Sequence, residues 1–238
     1  MKEIGILIVL SAALSLAACA TNSELAARYT DDPLTQLTIN TAETKSASAI
    51  VPAFGWDNRD AVAAMGAVQY LSKSEAEKLL PYLESANGDV ALALMCQLAL
   101  KEIKQTKPIA LQFMDAPSDS QQLLAIQAIS DIGETESCMD ILFKRASENK
   151  RSSWHALMAL ATCDSEKIDE LVRPKLESGT SAEKIAAMKL AFELNTKGIA
   201  GSLEKLTASK DKPLAFEAFA MLGRLRKKAM QSLLKRPI

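Results

Sequence analysis

Valine is scarce in this 238-residue chain, with 6 residues against 38 alanines and 32 leucines, and aromatic residues make up only 5% of it. Sheets draw on β-branched and aromatic side chains, whereas Ala and Leu lead the helix scale. The shortage therefore excludes a sheet-rich fold and predicts an all-α one. An excess of charge is also missing. With 28 basic and 29 acidic side chains the formal net charge is −1, which excludes a polycation built for nucleic acid. A hydrophobic share of 48% excludes a disordered polymer, whose apolar content is too low for a core. Histidine is nearly absent. One residue, His155, stands in a helical pattern beside Trp154 and near Arg151, the setting of a surface or groove-lining side chain. A Ser-His-Asp triad or a zinc site would need it in company. CxxC, HExxH, GxSxG and a Gly-rich phosphate loop are all absent. The acidic residues are scattered over helix starts and polar faces, with no marked pair for glycoside hydrolysis. The expectation is a non-enzymatic protein with no metal, no cofactor and no nucleic-acid partner.

What is present begins with an address. Ile4 to Leu16 form a charge-free apolar stretch, shorter than the roughly 20 residues that span a bilayer. Small residues and a cysteine follow, which is the layout of a signal peptide and its cleavage site. Leu16-Ala17-Ala18-Cys19 resembles the lipobox of bacterial lipoproteins. That resemblance implies cleavage between Ala18 and Cys19, a diacylglyceryl group on the Cys19 thiol and acylation of the new amino group. Three chains exceed the two signals that stable anchoring takes. The family's positive n-region is reduced here to Lys2 beside Glu3. In enteric-type sorting an Asp after the lipidated Cys retains the protein in the inner membrane. Ala20 stands there instead, so the resemblance implies the periplasmic face of an outer membrane in a Gram-negative host.

Residues 20–57 are rich in Thr, Ser, Asn and Asp and poor in periodic apolar pattern. They predict a flexible tether from Cys19, with a short helix near 24–28 and a cluster, Val51-Pro-Ala-Phe-Gly-Trp56, that folds back over the hydrophobic face that follows.

From residue 58 one pattern returns. An Ala-rich helix recurs as AVAAMGAVQYL (61–71), VALALMCQLAL (90–100), LLAIQAISDIG (123–133), SWHALMALATC (153–163), KIAAMKLAFEL (184–194) and LAFEAFAMLG (214–223). Aligning Ala64, Met95, Ala128, Ala156, Ala187 and Ala218 gives steps of 31, 33, 28, 31 and 31 residues. Independently, Pro81-Tyr-Leu-Glu-Ser85 and Pro174-Lys-Leu-Glu-Ser178 lie 93 residues apart, three times 31. Partner helices are predicted at 73–85, 108–115, 136–147, 165–178, 199–208 and 227–235. Asn87-Gly-Asp89, Ala116-Pro-Ser-Asp119, Gly179-Thr180 and Asp211-Lys-Pro213 punctuate the pairs, and Thr180-Ser-Ala-Glu183 fits a capping box.

Leu79-Leu-Pro-Tyr-Leu83, a short turn, Asp89-Val90 and an Ala/Leu helix look like a HEAT repeat of the short bacterial type. The resemblance covers 58–238, although several units lack the Asp-Val pair and its following Arg. A tetratricopeptide array would need a period of 34 and a Trp, Leu-Gly and Tyr signature, which is absent. The resemblance implies a right-handed α-solenoid of about six HEAT-like helix pairs, each burying its apolar face on the next. Some short HEAT-like proteins are bilin lyases, a likeness that rests on the repeat alone.

Cys96, Cys138 and Cys163 remain after Cys19. Cys138 starts one predicted helix and Cys163 ends its antiparallel partner, so the two ends should be neighbours. They could close a disulfide around a loop of about 25 residues, worth roughly 3 kcal/mol in the loop-entropy picture, or stay as buried thiols acting as small hydrophobes. Charge is also unevenly placed. Residues 224–238 carry Arg224, Arg226, Lys227, Lys228, Lys235 and Arg236 without an acid, while residues 19–223 hold 21 bases and 28 acids. The basic end reads either as the polar outer face of a capping unit or as a contact for anionic lipid, glycan or an acidic protein. Together these features predict a lipid-anchored envelope scaffold or adaptor that binds another envelope protein. Two alternatives stand beside it: an envelope enzyme or enzyme subunit acting on cell-wall or carbohydrate material, and a lipid- or glycan-binding module using the basic end.

Overall fold

The computed structural model describes residues 32–148, 150–194, 196 and 198–234. Every regular element among them is helical. They fall into two compact units, one running to Ala116 and including Asp131–Gly133, the other comprising Pro117–Ser130 and the chain from Glu134. The repeat region predicted over 58–238 is divided between these two units, and helical structure already begins at Pro33.

The first unit opens with α1 (Pro33–Thr44) and two 3-10 turns, Ala47–Ala49 and Val51–Gly55. This corrects the tether predicted to extend to residue 57. Asp32 caps α1 by accepting from the Thr35 amide at 2.8 Å, and Pro33 occupies the first turn. The threonines that suggested a loop instead donate backwards along the helix, Thr38 to the Leu34 carbonyl, Thr41 to Leu37 and Thr44 to Asn40. With their hydroxyls satisfied in this way, Thr41 can be fully buried next to Leu37.

The α1 helix packs on α2 (Asn58–Ala64) and on its 3-10 continuation, Met65–Tyr70. Proline divides the predicted 73–85 helix into α3 (Lys73–Glu77) and α4 (Leu80–Ser85), with Pro81 in the first turn of α4. Next come α5 (Gly88–Leu100), a 3-10 turn at Lys104–Thr106 and α6 (Lys107–Met114). The α5 helix is the centre of this unit, packing on α2, α4 and the Met65–Tyr70 turn. Its Leu94, Met95 and Leu98 are fully buried with Met65, Val68, Leu79 and Met114. Burying a side chain of this kind stabilises by about 1.5–3 kcal/mol. The 51–56 cluster does fold back: Ala53 is buried and Phe54 stacks on Tyr82 with ring centroids 4.7 Å apart.

The second unit contains α7 (Asp119–Asp131, to Ser130), α8 (Met139–Ala146), α9 (Ser153–Leu160), α10 (Ser165–Ser178), α11 (Ser181–Glu193), α12 (Ile199–Thr207) and α13 (Lys212–Leu234). Three hairpins follow one another, α8 with α9, α10 with α11 and α12 with α13. The second helices also stack in chain order, α9 on α11 and α11 on α13. A separate helix at 227–235 does not form. Gly223 closes the Ala-rich pattern without ending the helix, and Arg224-Leu-Arg-Lys-Lys228 are good helix formers, so α13 continues for 23 residues.

The spacing read from the sequence recurs in the bonds within each unit. Asn58 donates to the Asp89 carboxylate across 31 residues and Lys101 to the Gln69 carbonyl across 32. Ser152 donates to Gln122 across 30, the Arg151 amide to Asp119 across 32, and Lys167 pairs with Glu136 across 31. All six aligned positions, Ala64, Met95, Ala128, Ala156, Ala187 and Ala218, are buried. The two Pro-x-Leu-Glu-Ser segments behave alike as well: Ser85 donates to the Pro81 carbonyl, Ser178 to Pro174, and Leu83 and Leu176 are buried.

Candidate interaction surface

The α8/α9 hairpin brings the Cys138 and Cys163 segments together, as the helix pairing predicts. Glu136 accepts from the Asp164 amide at 3.4 Å and forms an ion pair with Lys167. Those contacts hold the Glu136 carboxyl below its ordinary range, the Lys167 ammonium first and the amide second. Cys138 and Cys163 are both buried and both free thiols in this structure, as is Cys96. Burial pushes the Cys163 thiol up, with the nearby Glu136 charge adding to it. Burial, reinforced by Asp131, pushes Cys96 up to about 12. A thiol held protonated is a poor nucleophile, so Cys96 and Cys163 are poorly suited to nucleophilic chemistry as they stand.

His155 is exposed on α9. No cluster of three or more His, Cys, Asp or Glu that could hold a metal occurs among the described residues. Two recesses of the first unit are shallow and open. One, of about 430 Å³, is lined by α1 and by Pro52 and Trp56. The other, of about 550 Å³, carries Glu77 and Glu102 interleaved with Lys73, Lys104 and Lys107.

What the molecule does present is exposed apolar surface of unusual chemistry. Trp154 is 49% exposed at the start of α9, flanked by exposed Arg151 and His155. On α13, Phe216 and Phe219 are 72% and 69% exposed. The Ala-rich pattern 214–223 suggested a core helix and concealed these two. Their positions could have been read from the 3.6-residue period: Leu214, Ala218 and Met221 define the buried side, and Phe216 and Phe219 fall opposite it.

Of the basic end, Arg224 and Lys227 are exposed, and Arg226 is exposed and reaches Glu204 at 3.6 Å. The Lys228 side chain, Lys235 and Arg236 lie outside the described residues, as do Ala18, Cys19, the signal segment and the helix expected near 24–28. No helix among the described residues is long and apolar enough to cross a membrane. Compared with known proteins, the chain matches no family model, no curated protein and no solved structure.

Proposed function

We propose that this chain is a lipid-anchored scaffold or adaptor of the cell envelope. Cys19 carries the acyl chains, and a HEAT-like α-solenoid binds another envelope protein on its helical surface. The anchor rests on Leu16-Ala17-Ala18-Cys19, and Ala20 favours the periplasmic face of an outer membrane in a Gram-negative host. The observation that carries the scaffold is the set of ties at 30–32 residues together with the stacked second helices α9, α11 and α13. Repeats that contact only their neighbours build long surfaces, and such surfaces serve chiefly to bind other macromolecules.

Trp154, with Arg151 and His155, is the best candidate for a protein contact. Trp and Arg dominate binding energy where they can be desolvated together. A photoreactive phenylalanine analogue at position 154 in living cells is expected to form one discrete protein adduct. The same analogue at the exposed Arg173 of α10 is expected to form none. Equal, diffuse labelling from both positions would contradict the scaffold.

A further inference from the structure

The outward face of α13 is exposed, and its composition is specific. At 100° per residue, Lys212, Phe216, Phe219, Gly223 and Lys227 fall on one stripe, with Arg224 and Arg226 along its two margins. All seven are exposed, the two phenylalanines most notably, at 72% and 69%. The stripe runs for about 22 Å along the helix axis. No acid lies on it. Glu217, the one acidic residue of α13, is half-buried to the side and faces Lys189 of α11 at 3.7 Å. Arg226 leans on Glu204 at 3.6 Å, an exposed pair that separates easily.

We propose that this face of α13 lies on an anionic phospholipid surface, with Phe216 and Phe219 inserted at the headgroup boundary and Lys212, Arg224, Arg226 and Lys227 on the phosphates. Charge complementarity selects the occupant. A further helix pair or a second copy docking here through its own apolar face would have to desolvate Lys212, Arg224 and Lys227 without supplying an acid to meet them. A bilayer interface accepts the same row, because the aromatic rings enter the acyl boundary while the long basic side chains reach back to the headgroups. Each cation near such a surface strengthens partitioning about fivefold, and salt weakens it. The contact adds to whatever holds the N-terminus on a membrane and is independent of it.

The test uses the full chain with Phe219→Trp as a reporter, on vesicles whose acyl chains carry bromine. One set is phosphatidylglycerol mixed equally with phosphatidylcholine, the other phosphatidylcholine alone. Emission from Trp56 and Trp154, measured on the unsubstituted chain, is subtracted. Strong quenching is expected on the anionic vesicles and at least about fivefold less on the neutral ones. Adding Arg224→Gln and Lys227→Gln should sharply narrow the difference while far-UV circular dichroism stays helical. If Phe219→Trp disturbs folding, Phe216→Trp serves as the reporter. No quenching on either vesicle by a folded chain overturns the proposal, and so does equal quenching on both. A blue shift that grows with protein concentration without vesicles assigns the face to a second copy and also overturns it. Because the signal comes from α13, its loss while the chain still floats with the vesicles would leave the Cys19 anchor intact.

Discussion

One carboxylate fixes the turn between α10 and α11. Glu183 accepts from Lys175 Nζ at 2.8 Å, from the Thr180 amide at 2.9 Å and from Thr180 Oγ1 at 3.0 Å, while the Thr180 hydroxyl caps the Glu183 amide in return. The Lys175 ammonium first, then the Thr180 donors, pull Glu183 from an ordinary 4.5 down to about 2. Because the folded value is the lower one, its contribution is complete above about pH 4.5 and is lost as the pH falls towards 2. Thr180→Ala is expected to cost about 1 kcal/mol in urea unfolding at neutral pH. Glu183→Gln should flatten the stability profile between those two pH values. At the end of α5, Glu102 sits at φ 57°, in the left-handed region, while the Ile103 amide closes on the Leu98 carbonyl. Thirty-one residues later, Gly133 takes the same role at φ 70°, with the Glu134 amide on Ile129. Glycine is the residue this cap favours, so Glu102→Gly should stabilise by about 1 kcal/mol, read as a raised urea midpoint.

Each helix pair depends on how closely its two helices turn onto one another. Gly179 links α10 to α11 at φ −67°, so its value lies in space and not in conformation. A Cβ there would stand 2.5 Å from the Lys175 carbonyl oxygen and 3.1 Å from the Glu183 Cβ. Gly179→Ala must shift the backbone at the capped turn and is expected to cost about 1–3 kcal/mol in thermal or urea unfolding. Much of this scale is legible from sequence, because period, caps and buried register all follow from local rules. Thr180-Ser-Ala-Glu183 forms its box, and Asp211 caps α13 by accepting from the Leu214 amide at 3.2 Å. Each misreading has its own physical cause. α1 was hidden because threonines that bond back along a helix have the same composition as a loop. The unbroken α13 was hidden because Gly223 closes the Ala-rich pattern as a helix end does, although the helix runs through it. Phe216 and Phe219 were hidden because an Ala-rich window scores as core unless its buried side is located first.

At the scale of the whole molecule, a formal net charge of −1 joins an acidic body to a basic last helix. On the proposed reading the parts of the chain have different tasks: the N-terminus would anchor, the last helix would rest on anionic lipid, and the helical units would meet a protein partner. The proposed scaffold role requires the chain to be held at the envelope, which makes Cys19 the point on which that role turns. Intact-mass spectrometry of the protein extracted from its membrane decides it. The account predicts a polypeptide beginning at Cys19, heavier by a diacylglyceryl group and one further acyl chain, with Cys19→Ser giving an unprocessed, unacylated chain. A wild-type protein that begins at Met1, or that carries an unmodified Cys19, would contradict it.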